Sequence, residues 1–384
     1  MYLKNKEVFS DQLFQNPTSE YRGAPFWAWN CQMTSEKVAR IIEDFSKMGM
    51  GGCHIHSRAG LNTPYLGDDF MRLVSEANQN LKERGMFTWL YDEDRWPSGF
   101  AGGAVTKDRA YRRRGLIFTT KKLEDEWTTP IAHYQVVLED GWLKDYKRIG
   151  IEEDVDAGWD EWFACVQIDC DDPRFNNQSY VSTLNKKAIQ RFIEETHEKY
   201  AEHFQDQFGK TIPAIFTDEP QYHVRGYKKN LGFAADKTDV ALPYVDDLEE
   251  TFVATYGYSF LDRLPELIWE RKGLVSQIRY HFHDHVAERF AEAFADTIGN
   301  WCEEHNLMLT GHMMMETTLA LQAEGVGEVM RSYRAFQLPG IDVLCDRREL
   351  ATAKQAQSAA HQYGRPGVLS ELYGVTNWDF DFRG

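Results

Sequence analysis

The chain has 384 residues, 42% of them hydrophobic and 27% charged, with a formal net charge of −17. That mixture can bury a large core. The acidity excludes a nucleic-acid binder, which needs a basic surface to neutralise phosphates, and no run of about 18 apolar residues offers a membrane span.

The N-terminal stretch MYLKNKEVFSDQLFQ is polar and has no apolar leader core. It predicts a cytoplasmic chain, or a secreted or periplasmic one whose leader has been trimmed. PFWAWN (25–30) is the first strand. The next helix takes Thr34 as N-cap, with Glu36 in its first turn, but Lys37 leaves a capping box incomplete. Val38, Ile41, Ile42, Phe45 and Met48 recur at helical spacing, and Gly49, Gly51 and Gly52 end the run. CHIHS (53–57) is the second strand. A helix over 68–84 follows, with Phe70, Leu73, Val74, Ala77 and Leu81 on one face and Gly85 as its stop. MFTWLYDE (86–93) is the third strand, and RWPSGFAGG (95–103) is a loop with unusual backbone angles.

The rhythm then changes. GLIFTT, HYQVVLE and EWFACVQID read as antiparallel strands with acidic turns, a small β-rich insertion over 113–172. A helix over 185–205 carries the stripe Ile189, Phe192, Ile193, Thr196 and Tyr200. IPAIFTDEP (212–220) is the fourth strand, and a loop-rich segment runs to 273. A long helix over 275–305 repeats Ile278, Phe282, Val286, Phe290, Phe294 and Ile298 every four residues. LMLTGHM (307–313) and GIDVLCD (340–346) are the fifth and sixth strands. A helix over 351–363 ends at Gly364, and GVLSELYG (367–374) is the seventh strand. The fold class is α/β: a (β/α)8-type TIM barrel lacking its last strand, with barrel segments 1–112 and 173–384 flanking the insertion.

Such barrels carry their active-site residues at the C-terminal ends of the strands. In order these ends give Trp29 and Asn30; His54, His56 and Arg58; Tyr91, Asp92 and Glu93, with Trp96 in the loop beyond; Asp218 and Glu219; His312 and Glu316; Asp346 and Arg347; Glu371 and Tyr373. Polar groups recur at the same end of every strand, and that repetition is the signal. Cleaving a glycosidic bond takes two carboxyl groups, one to protonate the leaving oxygen and one to attack or to activate water. Glu219 and Glu371, each closing an apolar strand, are the catalytic candidates, and apart from Arg347 the others are candidate substrate contacts. Alternation in an extended strand predicts that Asp218 faces away from Glu219, and Asp92 away from Glu93. His54 and His56 share a face and read as contacts to hydroxyls or carboxylates rather than as metal ligands. His281, His283 and His285 lie on a helix without an HExxH pattern and read as surface or pairing residues. Aromatic residues, 14% of the chain, supply rings on which sugars pack. The strand-end carboxylates could hold Ca2+. Neither a strand–GxGxxG–helix nor a GxxxxGK[ST] motif is present, so no organic cofactor is expected. Cys31, Cys53, Cys165, Cys170, Cys302 and Cys345 form no C-x-x-C pair and read as free thiols.

PFWAWN, a helix, MGMGG, a helix ending KERGM and then LYDEDRWPSGFAGG together resemble the catalytic barrel of glycoside hydrolase family 106, the α-L-rhamnosidases. TDEP, the YGY run with Leu264 and Pro265, WCEEH followed by TGHMMMET, PGID and SELYG extend the resemblance over most of the chain outside the insertion. It implies hydrolysis of α-L-rhamnosides with inversion, Ca2+ as an associated ion, Glu219 as general acid and Glu371 as base. Carboxylates on the fourth and seventh strands are also the arrangement of the retaining barrel clan that includes β-galactosidases, where Glu371 would be the nucleophile. A non-catalytic carbohydrate-binding barrel is the reading from outside enzymology. In each case the partner is a carbohydrate.

Overall fold

The computed structural model describes residues 10–222, 239–344 and 350–376. In chain order its strands are β1 (Phe26–Trp29), β2 (Gly52–Ser57), β3 (Phe87–Tyr91), β4 (Arg114–Thr119), β5 (Thr128–Glu139), β6 (Trp142–Ile149), β7 (Asp160–Ile168), β8 (Ala214–Asp218), β9 (Val240–Tyr244), β10 (Met308–His312), β11 (Leu338–Val343) and β12 (Leu369–Leu372). Seven of them pair in parallel in the order β1-β2-β3-β8-β10-β11-β12. β2, β8 and β10 are buried at every position, as parallel strands covered on both faces must be. The sheet curls into a half-barrel whose edges are β1 and β12, so the closed eightfold barrel is not formed by the described residues.

The two faces of the sheet are sorted by alternation. On the concave face Trp89, Ala214, Met308 and Leu338 form one apolar layer, with Leu369 beside it. Above them the ring of Phe26 lies 4.8 Å from that of His54 and 4.9 Å from that of Phe216. On the convex face Trp27 and Trp29 meet Phe45 and Phe70 of the covering helices at 5.8 and 5.5 Å. Those helices are Ser35–Lys47, capped by the Thr34 hydroxyl as the sequence suggests, and Asp68–Glu83.

The remaining strands build an antiparallel sheet in the order β6-β5-β7-β4-β9. Asp140 and Gly141, both with positive φ, turn β5 into β6, the sequence signature of a tight hairpin. The fifth strand, β9, comes from the segment read as loop. Its Pro243 hides the strand signal, yet β9 pairs with β4 alone, and an edge strand tolerates a missing N–H. The helix expected over 185–205 breaks at Thr196 into Lys186–Glu195 and His197–Phe204, with the Thr196 hydroxyl bonded back to the Phe192 carbonyl at 2.6 Å. The helix expected over 275–305 contains a π-helical stretch, Ala291–Asp296. A strict four-residue repeat drifts about 40° per step around an α-helix. The wider π turn swings it back, and all six residues of the repeat are fully buried. No described helix is long and apolar enough to cross a membrane.

Gly311 shows what the central pairing requires. Its φ is +119°, and a Cβ there would lie 1.8 Å from the Thr217 carbonyl oxygen. Gly311→Ala should therefore lower the unfolding free energy by about 2–5 kcal/mol, combining backbone strain and overpacking. Gly364, with φ +62° and nothing within 4 Å of its Cβ position, should lose only about 1 kcal/mol on the same change. Urea denaturation of the two variants compares them directly.

Candidate active site

β8 and β10 run in register, which places Asp218 opposite His312. The next residue, Glu219, has φ +47°, and its amide donates to the His312 carbonyl at 3.1 Å. Strand alternation predicts Asp218 and Glu219 on opposite faces. The left-handed turn at Glu219 breaks the alternation, and both carboxyl groups reach the same imidazole. Asp218 Oδ1 lies 3.7 Å from His312 Nε2. Ligand atoms of Glu219, His312 and Asp342 lie within 4.8 Å of one another, as do those of Asp218, His312 and Glu371. His312 Nε2 hydrogen-bonds Glu371 Oε2 at 3.0 Å. The two catalytic candidates, far apart in sequence, thus converge on one buried histidine.

The electrostatics follow from this crowding. Burial works against charge on His312, but the hydrogen bond to Glu371 and the negative charges of Asp218 and Glu316 raise its pKa to about 10. The ring is therefore an imidazolium, and its Nε2 is the donor. Burial is the main cause that raises Glu219 to about 7, with Asp218 and Glu371 adding repulsion against the attraction of His312. Asp342 is likewise lifted by burial to about 7. Asp218 is raised by burial, against the pull of His312 and the 2.6 Å hydrogen bond from the Tyr91 hydroxyl. Burial lowers His54 to about 3 and His56 to about 2, so both are neutral. His54 stacks on Trp89 and bonds the Ala24 carbonyl, and His56 packs on Tyr91 at 3.7 Å.

Arg58, Trp96 and Tyr373 stand near the cluster, and Asn30 is placed only by its position at the end of β1. Arg58, exposed just beyond β2, acts electrostatically on Asp218, Tyr91 and His56. Asn30 is exposed after β1. Trp96 (37% exposed) donates its indole N–H to Glu219 Oε2, and Tyr373 (56% exposed) follows Glu371. Glu316 sits behind the cluster, held by the Tyr333 hydroxyl and the Asp342 amide, each at 2.8 Å.

Three expected contacts lie elsewhere. Trp29 is fully buried on the convex face, and a ring with no exposure cannot stack on a sugar. The Glu93 carboxyl accepts the backbone N–H groups of Asp94, Gly99, Phe100, Ala101 and Gly102 at 2.6–3.0 Å. Burial raises its pKa and these amides oppose it; five donors on two oxygens are satisfied by the carboxylate. Asp92, raised to about 7 by burial, accepts the Ser98 hydroxyl. Both acids shape the loop after β3 rather than line the cluster. Asp346 lies outside the described residues. β11 ends at Val343, earlier than its apolar run suggests, so Asp342 is the residue this strand contributes. Its signal was its place two residues after Gly340, on the concave side of PGID. Away from the cluster, His281 and His285 bond the hydroxyls of Tyr258 and Thr251. The five described cysteines are free.

No protein-family model matches the chain, and no curated protein does. Among solved structures, the rhamnosidase from Novosphingobium sp. PP1Y is similar with a TM-score of 0.65 at 11% sequence identity, over 95% of this chain and 53% of that one. At such identity the likeness is one of fold. The chain spans about half the length of that rhamnosidase.

Glu93→Gln would turn an N–H pair toward the buried loop amides and leave some of them unsatisfied. The expected loss is about 2–4 kcal/mol of stability, read by chemical denaturation; an unchanged midpoint would show that the loop does not depend on this carboxylate.

Proposed function

We propose that this chain is a glycoside hydrolase of the α-L-rhamnosidase type, with Glu219 as general acid and Glu371 as general base. The observation that carries the reading is the convergence of both carboxyl groups on His312 in unlike surroundings. Burial holds Glu219 near the point of protonation, while Glu371 faces the imidazolium N–H. Pairs of carboxyls in unlike environments divide acid and base roles in this way. The resemblance of PFWAWN, the WPSG loop, TGH and SELYG to the rhamnosidases points to the sugar, and the fold similarity supports the same class.

In the proposed step Glu219 gives its proton to the glycosidic oxygen as the bond from that oxygen to the anomeric carbon breaks, the bonding pair staying on the oxygen. A water attacks the anomeric carbon from the opposite face and passes its proton to Glu371, inverting the configuration. The negative charge of Asp218 favours the positive charge that develops on the sugar ring. Arg58, Asn30 and Tyr373 are assigned to the substrate's hydroxyls and ring faces.

The cluster also suits a hard cation. Four carboxyls surround one imidazole, and Asp342 Oδ1 is buried with no hydrogen-bond partner. We assign Ca2+, when bound, to Asp342, whose unpartnered Oδ1 would be a ligand, with the ion orienting sugar hydroxyls.

Glu219→Gln and Glu371→Gln should each reduce kcat on 4-nitrophenyl α-L-rhamnoside by roughly 10²–10⁴, with sugar binding retained in calorimetry; full activity in either variant would sink the assignment. Because the Glu219 pKa is raised to about 7, its acid form is present below that pH and lost above it. The kcat/KM profile of the wild-type protein should fall on the alkaline side with a limb near that value. Ca2+ titrated in two buffers of different ionisation enthalpy should displace a proton from the cluster, and chelation should lower the thermal midpoint.

A further inference from the structure

Trp96 has an environment that a sugar-stacking platform would not require. Its loop is fastened to the end of β8 by its own backbone. The Ser98 amide donates to the Asp218 carbonyl at 2.8 Å, and the Asp218 amide donates to the Ser98 hydroxyl at 2.8 Å. The Tyr180 hydroxyl holds the Ser98 carbonyl at 2.7 Å, and Glu93 gathers the amides of 99–102. Residue 98 is thus locked beside Asp218, and the ring two positions earlier is aimed at the next side chain, Glu219. Its Nε1–H points at Oε2 of that carboxyl.

We propose that Trp96 is a positioning residue for Glu219: by donating to Oε2 it fixes the carboxyl plane and leaves Oε1 as the oxygen that carries the proton. This rests on Glu219 being the general acid. A carboxylic acid has one proton and two oxygens, and the carbonyl oxygen that lacks the proton is the better acceptor for an N–H donor. The indole therefore selects the protonated oxygen by geometry. It also keeps that selection after transfer, when the carboxylate must be reprotonated on the same oxygen. The φ of +47° at Glu219 makes the device necessary, because the side chain leaves the backbone at a position where strand alternation no longer orients it.

A positioning role for the acid has a signature that binding or stability does not share. Protonation matters for a poor leaving group and hardly at all for a very acidic phenol. Trp96→Phe keeps the ring and removes the donor. Relative to wild type, its kcat on phenyl α-L-rhamnoside should fall about 10- to 100-fold, the scale of a hydrogen bond to an ionisable group. On 2,4-dinitrophenyl α-L-rhamnoside it should stay within about twofold. Trp96→His places an N–H at the same position of a five-membered ring and should restore most of the loss. The ratio of kcat on the two substrates cancels any difference in folded fraction, so a destabilised variant is still read. Equal losses on both substrates, a raised KM with unchanged kcat, or a His variant no better than the Phe variant would each overturn the proposal. The underlying reading fails separately: if wild-type protein cleaves neither glycoside, or if Glu219→Gln shows no dependence on the leaving group, Glu219 is not the acid.

Discussion

One buried imidazolium organises the site. His312 is fully enclosed on β10, and its Nε2 lies between Glu371 on β12 and Asp218 on β8. Asp342 on β11 and Glu219 just beyond β8 complete the ring of acids. Five acidic side chains, counting Glu316, surround it. Like charges at this density in a buried place are costly, and two responses are visible. The histidine holds its proton, and Glu219 and Asp342 rise toward neutrality. Burial first, and the neighbouring acids second, bring Glu219 to about 7, the range that the proposed acid role needs.

A second layer makes this arrangement rigid. The loop after β3 has few apolar side chains with which to pack, so it is held by polar bonds. Glu93 collects five amides, Asp92 takes the Ser98 hydroxyl, and Asn176 reaches both Asp94 and the Gly102 carbonyl. Two acids that sequence reasoning assigned to the pocket thereby serve as a scaffold behind it. A buried carboxylate is a strong organiser of backbone amides because it accepts several bonds at once and needs no donor of its own in return.

Much of this was legible in the sequence because it follows from periodicity. Apolar runs separated by amphipathic stretches identified all seven parallel strands in order, and the polar strand ends include Asp218, Glu219 and Glu371, which gather around His312. What escaped was decided by backbone angles and by pairing partners. Asp218 and Glu219 were assigned to opposite faces because alternation assumes extended φ, and nothing local in TDEP announces a left-handed residue. Trp29 stands at a strand end, the position that points to the site, yet it shares with Trp27 the face that the helices cover. β9 was missed because a proline stands within it, and only an edge position makes that harmless. Asp342 was passed over for residues farther along, because an apolar run does not say where pairing stops.

The edge position of β12 gives the histidine a further consequence. Asp342 and Glu371 are paired in register on β11 and β12, so two carboxyls stand side by side where, among the described residues, β12 has no strand on its other side. Repulsion between them would press the edge strand outward. Donation from His312 to Glu371 opposes that, drawing the edge strand toward the centre of the sheet at the height of the site. Among the described residues β8, β10 and β11 are paired on both sides, whereas β12 is paired with β11 alone and its Glu371 is also held by His312, two strands away. The hydrogen bond from His312 to the proposed base therefore also bears on where the edge strand lies, and the site and the sheet's edge are coupled through one ring.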